Sequence, residues 1–197
     1  MEKPRLSKSE VKRYGLYSLL TGFASMMALT YITNYATINL ALGAALVGTV
    51  FLVARIIDFI ASLAAGGIIT KANPRGGKYT SWLTVLRWTA VIGTILQFTN
   101  TASLALPFRV VILLLGYCFL HCSMDFVATS QYGILSIMAG TSMEDRTLLS
   151  VTGFQWMVPA TIIVSFCTLP VVQFLTPYTG ENMAYFIITV VYALPFF

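Results

Sequence analysis

Leu46-Val-Gly-Thr-Val-Phe-Leu-Val-Ala-Arg55-Ile-Ile-Asp58-Phe-Ile60 is an apolar run interrupted by two charges. It sits inside a longer apolar stretch, residues 44–70, and about 20 such residues suffice to cross a bilayer as a helix. An ionised side chain at the bilayer centre costs at least ~2.5–3.5 kcal/mol on insertion scales, so such residues face a polar cavity and serve a pathway. A second apolar run carries Asp125 in the same way. A membrane carrier with carboxylates near its midplane is the first expectation.

Composition points the same way. The 197 residues are 57% hydrophobic and 10% charged, with a mean hydropathy of +0.81. Soluble domains carry about 25% charged residues, so lipid is the expected solvent for much of this surface. The net charge of +5 does not indicate nucleic acid, because the basic residues flank apolar runs and form no stripe of their own. The three cysteines, Cys118, Cys122 and Cys167, lie in apolar segments without metal-ligand spacing and read as buried thiols. No cofactor is expected. No phosphate loop, metal motif or nucleophile signature supports an enzyme. The polar start, 1–13, does not read as a cleavable signal peptide.

Six apolar segments are expected to be helices, at about 14–37, 44–70, 82–98, 110–138, 149–175 and from 183 onward. The predicted class is therefore an all-α polytopic membrane protein. Barrel strands would alternate in polarity over ~10 residues, and these runs do not. Basic residues concentrate in Lys3, Arg5, Lys8, Lys12 and Arg13, in the loop with Lys71, Arg75 and Lys78, and at Arg146. The intervening loops are nearly free of them, which predicts a cytoplasmic N-terminal segment over 1–13, a bundle over 14–197, and residence in the cell membrane. The sixth run is still apolar at Phe197. It reads as truncated, and the chain as the first half of something larger.

Arg55 and Asp58 are spaced i, i+3 and share a helix face, which Ser62 continues one turn later. His121, Cys122 and Asp125 share a face of the fourth helix. Asp58 and Asp125 could meet across the bundle and hold a sodium ion or a proton. Sodium needs oxygen ligands, whereas proton coupling needs a carboxylate that burial makes more basic. The blander readings are that Arg55 and Asp58 form a structural pair, that the single histidine is a packing group, and that Arg87 snorkels. Tyr31 and Tyr35, one turn apart, read as packing residues, with a sugar path the alternative.

The Leu46–Asp58 stretch resembles helix two of the glycoside–pentoside–hexuronide:cation symporters, the melibiose permease-like carriers of the major facilitator superfamily. Arg75-Gly-Gly-Lys-Tyr-Thr-Ser-Trp82 is similar to that family's cytoplasmic loop, and Ser123-Met-Asp125 to its helix-four Met-Asp motif. The resemblance implies the N-terminal half of a twelve-helix carrier whose two bundles rock around a midplane site, coupling a sugar or glycoside to H+ or Na+. By position it assigns cation coupling to Asp58, Asp125, Arg55, Cys122 and Ser62. It assigns substrate contacts to Asp125, His121, Thr21, Thr129 and Gln155.

Departures from the pattern matter too. Ser62-Leu63 replaces the family's Asp-Pro, Thr21-Gly22 replaces its sugar-gripping Lys-Asp, and Thr129 replaces a tryptophan. The helix-five arginine is missing near Phe154-Gln155-Trp156, and Thr70 stands at an often acidic loop position. The lost polar contacts suggest a different substrate or a relaxed one, the lost helix-two carboxylate favours proton over sodium coupling, and Thr70 suggests a weak cytoplasmic charge lock. The partners expected are the substrate, the bilayer, and either a missing C-terminal half or a second copy. The alternative is a truncated non-transporting fragment or a carrier-derived membrane scaffold.

Overall fold

A computed structural model describes residues 6–72, 74 and 77–194. Lys3, Arg5, Arg75, Gly76 and the final Pro195-Phe-Phe197 therefore lie outside the described residues. Within them the chain is all helical: α1 (Lys8–Asn34), α2 (Ala44–Lys71), α3 (Thr80–Gln97), α4 (Leu106–Ala139), α5 (Met143–Thr179) and α6 (Glu181–Ala193). Four spans, Lys8–Asn39, α2, α4 and α5, are long and apolar enough to cross a membrane. The fold is that of a polytopic helical membrane protein.

α1 starts at Lys8, inside the polar segment that the hydropathy pattern had set apart. Ser7 and Glu10 form a reciprocal capping box there, satisfying two backbone donors and letting polar residues nucleate the helix. α5 also starts early, because Ser142 accepts from the Asp145 N–H. It then runs for 37 residues through Pro159, Pro170 and Pro177. Proline is tolerated in membrane helices when neighbouring groups satisfy the freed carbonyls. The Tyr31 hydroxyl, from α1, donates to the Ser165 carbonyl at 2.9 Å, next to the Phe166 carbonyl that Pro170 leaves without its helical donor.

α1 ends in a π-helical turn, Tyr35–Asn39. Its Tyr35 is fully buried, donates to the Phe98 carbonyl at 2.9 Å and packs on Phe98 and Tyr185. Arg109 donates to the Leu40 carbonyl at 3.1 Å and to the Leu104 carbonyl at 2.7 Å. Both Tyr31 and Tyr35 thus have buried rings and hydroxyls bonded to backbone carbonyls, as packing residues would.

α1 packs chiefly on α5, and α4 lies between α2 and α3. The α3–α4 contact rests on small residues that bring two backbones together. A Cβ on Gly116 would sit 2.8 Å from the Gln97 backbone nitrogen. Buried Gln97 donates to the Gly116 carbonyl at 3.1 Å, and the Thr89 and Ser123 hydroxyls pair at 2.6 Å. This close approach fixes α4, and α4 carries one side of the site.

Candidate functional site

The charged residues of α2 and α4 come together. Arg55 Nη1 lies 3.1 Å from Asp58 Oδ2, one turn along α2. Arg55 is 53% exposed, whereas the Asp58 side chain is only 14% exposed. Across the α2–α4 contact, Asp58 is within electrostatic reach of Tyr117, Cys118, His121, Cys122 and Asp125. Asp125 also stands within side-chain hydrogen-bonding reach of Asp58. Both groups are carboxylates and neither can donate when ionised, so the contact is favourable only if a proton or a cation is shared. Asp58 Oδ1 and Asp125 Oδ2 are each buried without a hydrogen-bond partner. Buried polar atoms are rarely left so, and carboxylate oxygens in that state are acceptors able to take up a proton or a small cation.

Arg55 is held from a second side. Its guanidinium carbon lies 5.6 Å from the Tyr117 ring centroid, within cation–π range. Tyr117 in turn stacks on His121, with centroids 3.9 Å apart, and on Phe51 at 5.0 Å. His121 is thus a stacked group beside the carboxylates. Tyr117 was not singled out by the sequence reading, and Cys118 was read only as a buried thiol; Cys118 and Cys122 are instead half-buried and Cys167 is exposed on the apolar surface of α5. The signal was available, since Tyr117 precedes His121, and Cys118 precedes Cys122, by four residues on one helix.

A polar cavity of about 290 Å³ opens between α1, α4 and α5, lined among others by Tyr14, Ser18, Thr21, Gln131, Tyr132 and Ser150. Gln131 Nε2 donates to Ser18 Oγ at 2.9 Å. Among the described residues no charged side chain lines this cavity. Ala128 and Tyr132, on its wall, follow Asp125 at i+3 and i+7, so one stripe of α4 runs from the carboxylate into the cavity. Gly153 makes room for that wall: a Cβ there would lie 3.0 Å from the Tyr14 ring and 3.1 Å from Ser18 Oγ.

The remaining expected residues are placed as follows. Thr21 lines the cavity, with its hydroxyl donating to the Tyr17 carbonyl at 2.9 Å. Thr129 donates to the Asp125 carbonyl at 2.9 Å within α4. Ser62 and Gln155 are exposed, and neither forms a hydrogen bond among the described residues. The structure therefore brings Arg55, Asp58, His121, Cys122 and Asp125 into one cluster, with Thr21 in the adjoining cavity.

Comparison with known proteins agrees with this helical architecture. The glucuronide carrier protein homolog of Escherichia coli (strain K12) is 32% identical over 79 residues. That match covers 40% of this chain and 17% of the relative's length, so the chain spans well under two thirds of that protein. The family model described as MFS/sugar transport protein matches residues 13–194, which takes in α2 to α6 whole, α1 from Arg13 onward, and both sides of the carboxylate cluster. A match over nearly the whole chain places this polytopic helical protein in the MFS/sugar transport protein family.

Proposed function

We propose that the chain supplies the N-terminal bundle of a cation-coupled carrier that moves a sugar or glycoside across the cell membrane by alternating access. The N-terminal segment lies in the cytoplasm, where the basic loops place it. The protein is a carrier and not an enzyme. The observation that carries this reading is the meeting of Asp58 and Asp125, each with one buried oxygen lacking a partner. A proton or a sodium ion between them neutralises the repulsion, and Arg55 balances the charge left on Asp58.

Coupling follows from position. Asp125 begins the α4 stripe that continues into the cavity lined by Ser18, Thr21, Gln131 and Tyr132. Hydroxyls and an amide suit the hydroxyls of a sugar, and a site built to hydrogen-bond a hydroxyl rejects analogues that lack it. Occupation of the carboxylate pair thereby alters the wall that the substrate touches. The absence of a cation on this wall favours an uncharged glycoside over a hexuronide for the part of the substrate that this bundle holds.

The test is uptake of radiolabelled glycosides and pentosides into vesicles under imposed sodium or proton gradients, with the unaltered chain and with Asp58→Asn and Asp125→Asn. Gradient-driven uptake that both substitutions abolish supports the reading. Uptake that survives both would sink the assignment of the coupling pair.

A further inference from the structure

A separate concavity of about 480 Å³ opens at the start of α1, lined by Lys8, Ser9, Lys12, Arg13, Leu16 and Trp156. Lys8, Lys12 and Leu16 form an i, i+4, i+8 stripe. At 100° per residue this stripe lies on the side of α1 opposite Tyr14, Ser18 and Thr21, which face the polar cavity. The concavity therefore opens away from the proposed transport path.

Its chemistry is divided between a cationic rim and an apolar floor. Among the described residues Lys8, Lys12 and Arg13 make no hydrogen bond or ion pair, and no acidic side chain lines the site. Glu10, the acid of α1, is hydrogen-bonded by Ser7, whose N–H and hydroxyl both donate to its Oε2 at 2.8 Å, and it offsets Arg13 only at longer range, leaving Lys8 and Lys12 uncompensated by it. The floor is Leu16, 46% exposed, and the Trp156 indole. Gly15 fixes that indole in place, since a Cβ on it would lie 2.7 Å from the ring. Any residue larger than glycine would push the ring off α1.

We propose that this concavity binds the headgroup phosphate of an anionic phospholipid, with the first acyl methylenes resting on Trp156 and Leu16. Three cations converging at the end of a membrane span match a phosphodiester, and an interfacial tryptophan suits the boundary between headgroup and chain. A free phosphate would use the rim and leave the apolar floor wet, so the lipid is the better occupant.

The measurement is native mass spectrometry of the delipidated chain in detergent micelles. It is titrated with phosphatidylglycerol, with phosphatidylcholine, and with phosphatidylglycerol in competition with inorganic phosphate. The unaltered chain should retain phosphatidylglycerol in preference to phosphatidylcholine. The pair Lys8→Gln with Lys12→Gln should weaken phosphatidylglycerol binding by roughly 30-fold, as expected for two interfacial charges. Lys71→Gln with Lys78→Gln, which removes the same charge elsewhere, should leave it unchanged. Equal loss in both double variants would mean diffuse attraction to positive charge and overturn the site. Displacement of the lipid by low concentrations of inorganic phosphate would overturn the lipid assignment.

Discussion

Asp58 and Asp125 come from different helices, stand within side-chain reach of each other, and each keeps one buried oxygen without a hydrogen-bond partner among the described residues. Two like charges so placed favour whatever binds between them, and among the described residues the one ion pair to either is from Arg55, at 3.1 Å from Asp58 Oδ2. The first prediction follows. Asp125→Asn provides a donor amide to Asp58 and removes the repulsion, so thermal stability in detergent should hold or rise. Stabilisation by sodium chloride over choline chloride, or by acidification, should disappear in the same variant. Melting curves in the two salts and across pH check this. A variant that still responds to the cation as the unaltered chain does would exclude Asp125 from the site.

Arg55→Gln should act in the opposite direction. It leaves Asp58 partly buried beside Asp125 with no counter-charge. Arg55 is more than half exposed, so the loss should lie between the ~1 kcal/mol of surface pairs and the ~3 kcal/mol of buried ones. Adding Asp58→Asn to Arg55→Gln should restore most of that loss, because the pair acts as a unit. A double variant as unstable as the sum of the single ones would mean that Arg55 acts through Tyr117 and not through Asp58.

These charges were legible in the sequence because lipid makes ionisable residues conspicuous. Asp58, Arg55 and Asp125 stand out of apolar runs, and their helical spacing gave the shared faces. The cavity on α1, α4 and α5 was harder to read. Ser18, Gln131 and Tyr132 are uncharged polar residues, and in a membrane helix such residues also bond to their own backbone, as Ser18 does to the Tyr14 carbonyl at 3.2 Å. Only the packing of α5 against α1 through Gly153 shows that they line a space. The early starts of α1 and α5 had the same cause. Capping by Ser7 and Ser142 is a local effect of side-chain oxygens on backbone N–H groups, to which hydropathy is blind.

The cavity supports a third prediction. Gln131→Ala removes the amide that bonds Ser18 Oγ at 2.9 Å and leaves that hydroxyl with its own helix carbonyl. Gln131 also reaches the Tyr14 hydroxyl, so the stability cost should be about 1–2 kcal/mol, typical of one to two hydrogen bonds. If Gln131 also meets substrate hydroxyls, the apparent KM for sugar should rise well beyond what the fold loses, by roughly tenfold or more. Uptake kinetics beside a melting curve separate the two effects. A KM that does not move would make Gln131 a packing residue only.

The α3–α4 contact gives a prediction with a built-in control. A Cβ on Gly116 would press on the Gln97 backbone nitrogen at 2.8 Å, and backbone cannot rotate away as a side chain can. Gly116→Ala should therefore force the two helices apart, at a cost of about 1–3 kcal/mol by analogy with overpacked cores. The same substitution at Gly48 meets nothing within 4 Å, although Gly48 lies in the interior of α2. There alanine should stabilise the helix by up to about 1 kcal/mol, since glycine is the poorer helix former. The shift at Gly116 must also reach the site, because α4 carries Tyr117, His121 and Asp125 beyond it. Gly116→Ala should therefore weaken the response to cation as well as lower the melting temperature, while Gly48→Ala leaves the cation response as it is. If both variants melted alike, the close backbone approach of α3 and α4 would not be what sets the position of Asp125.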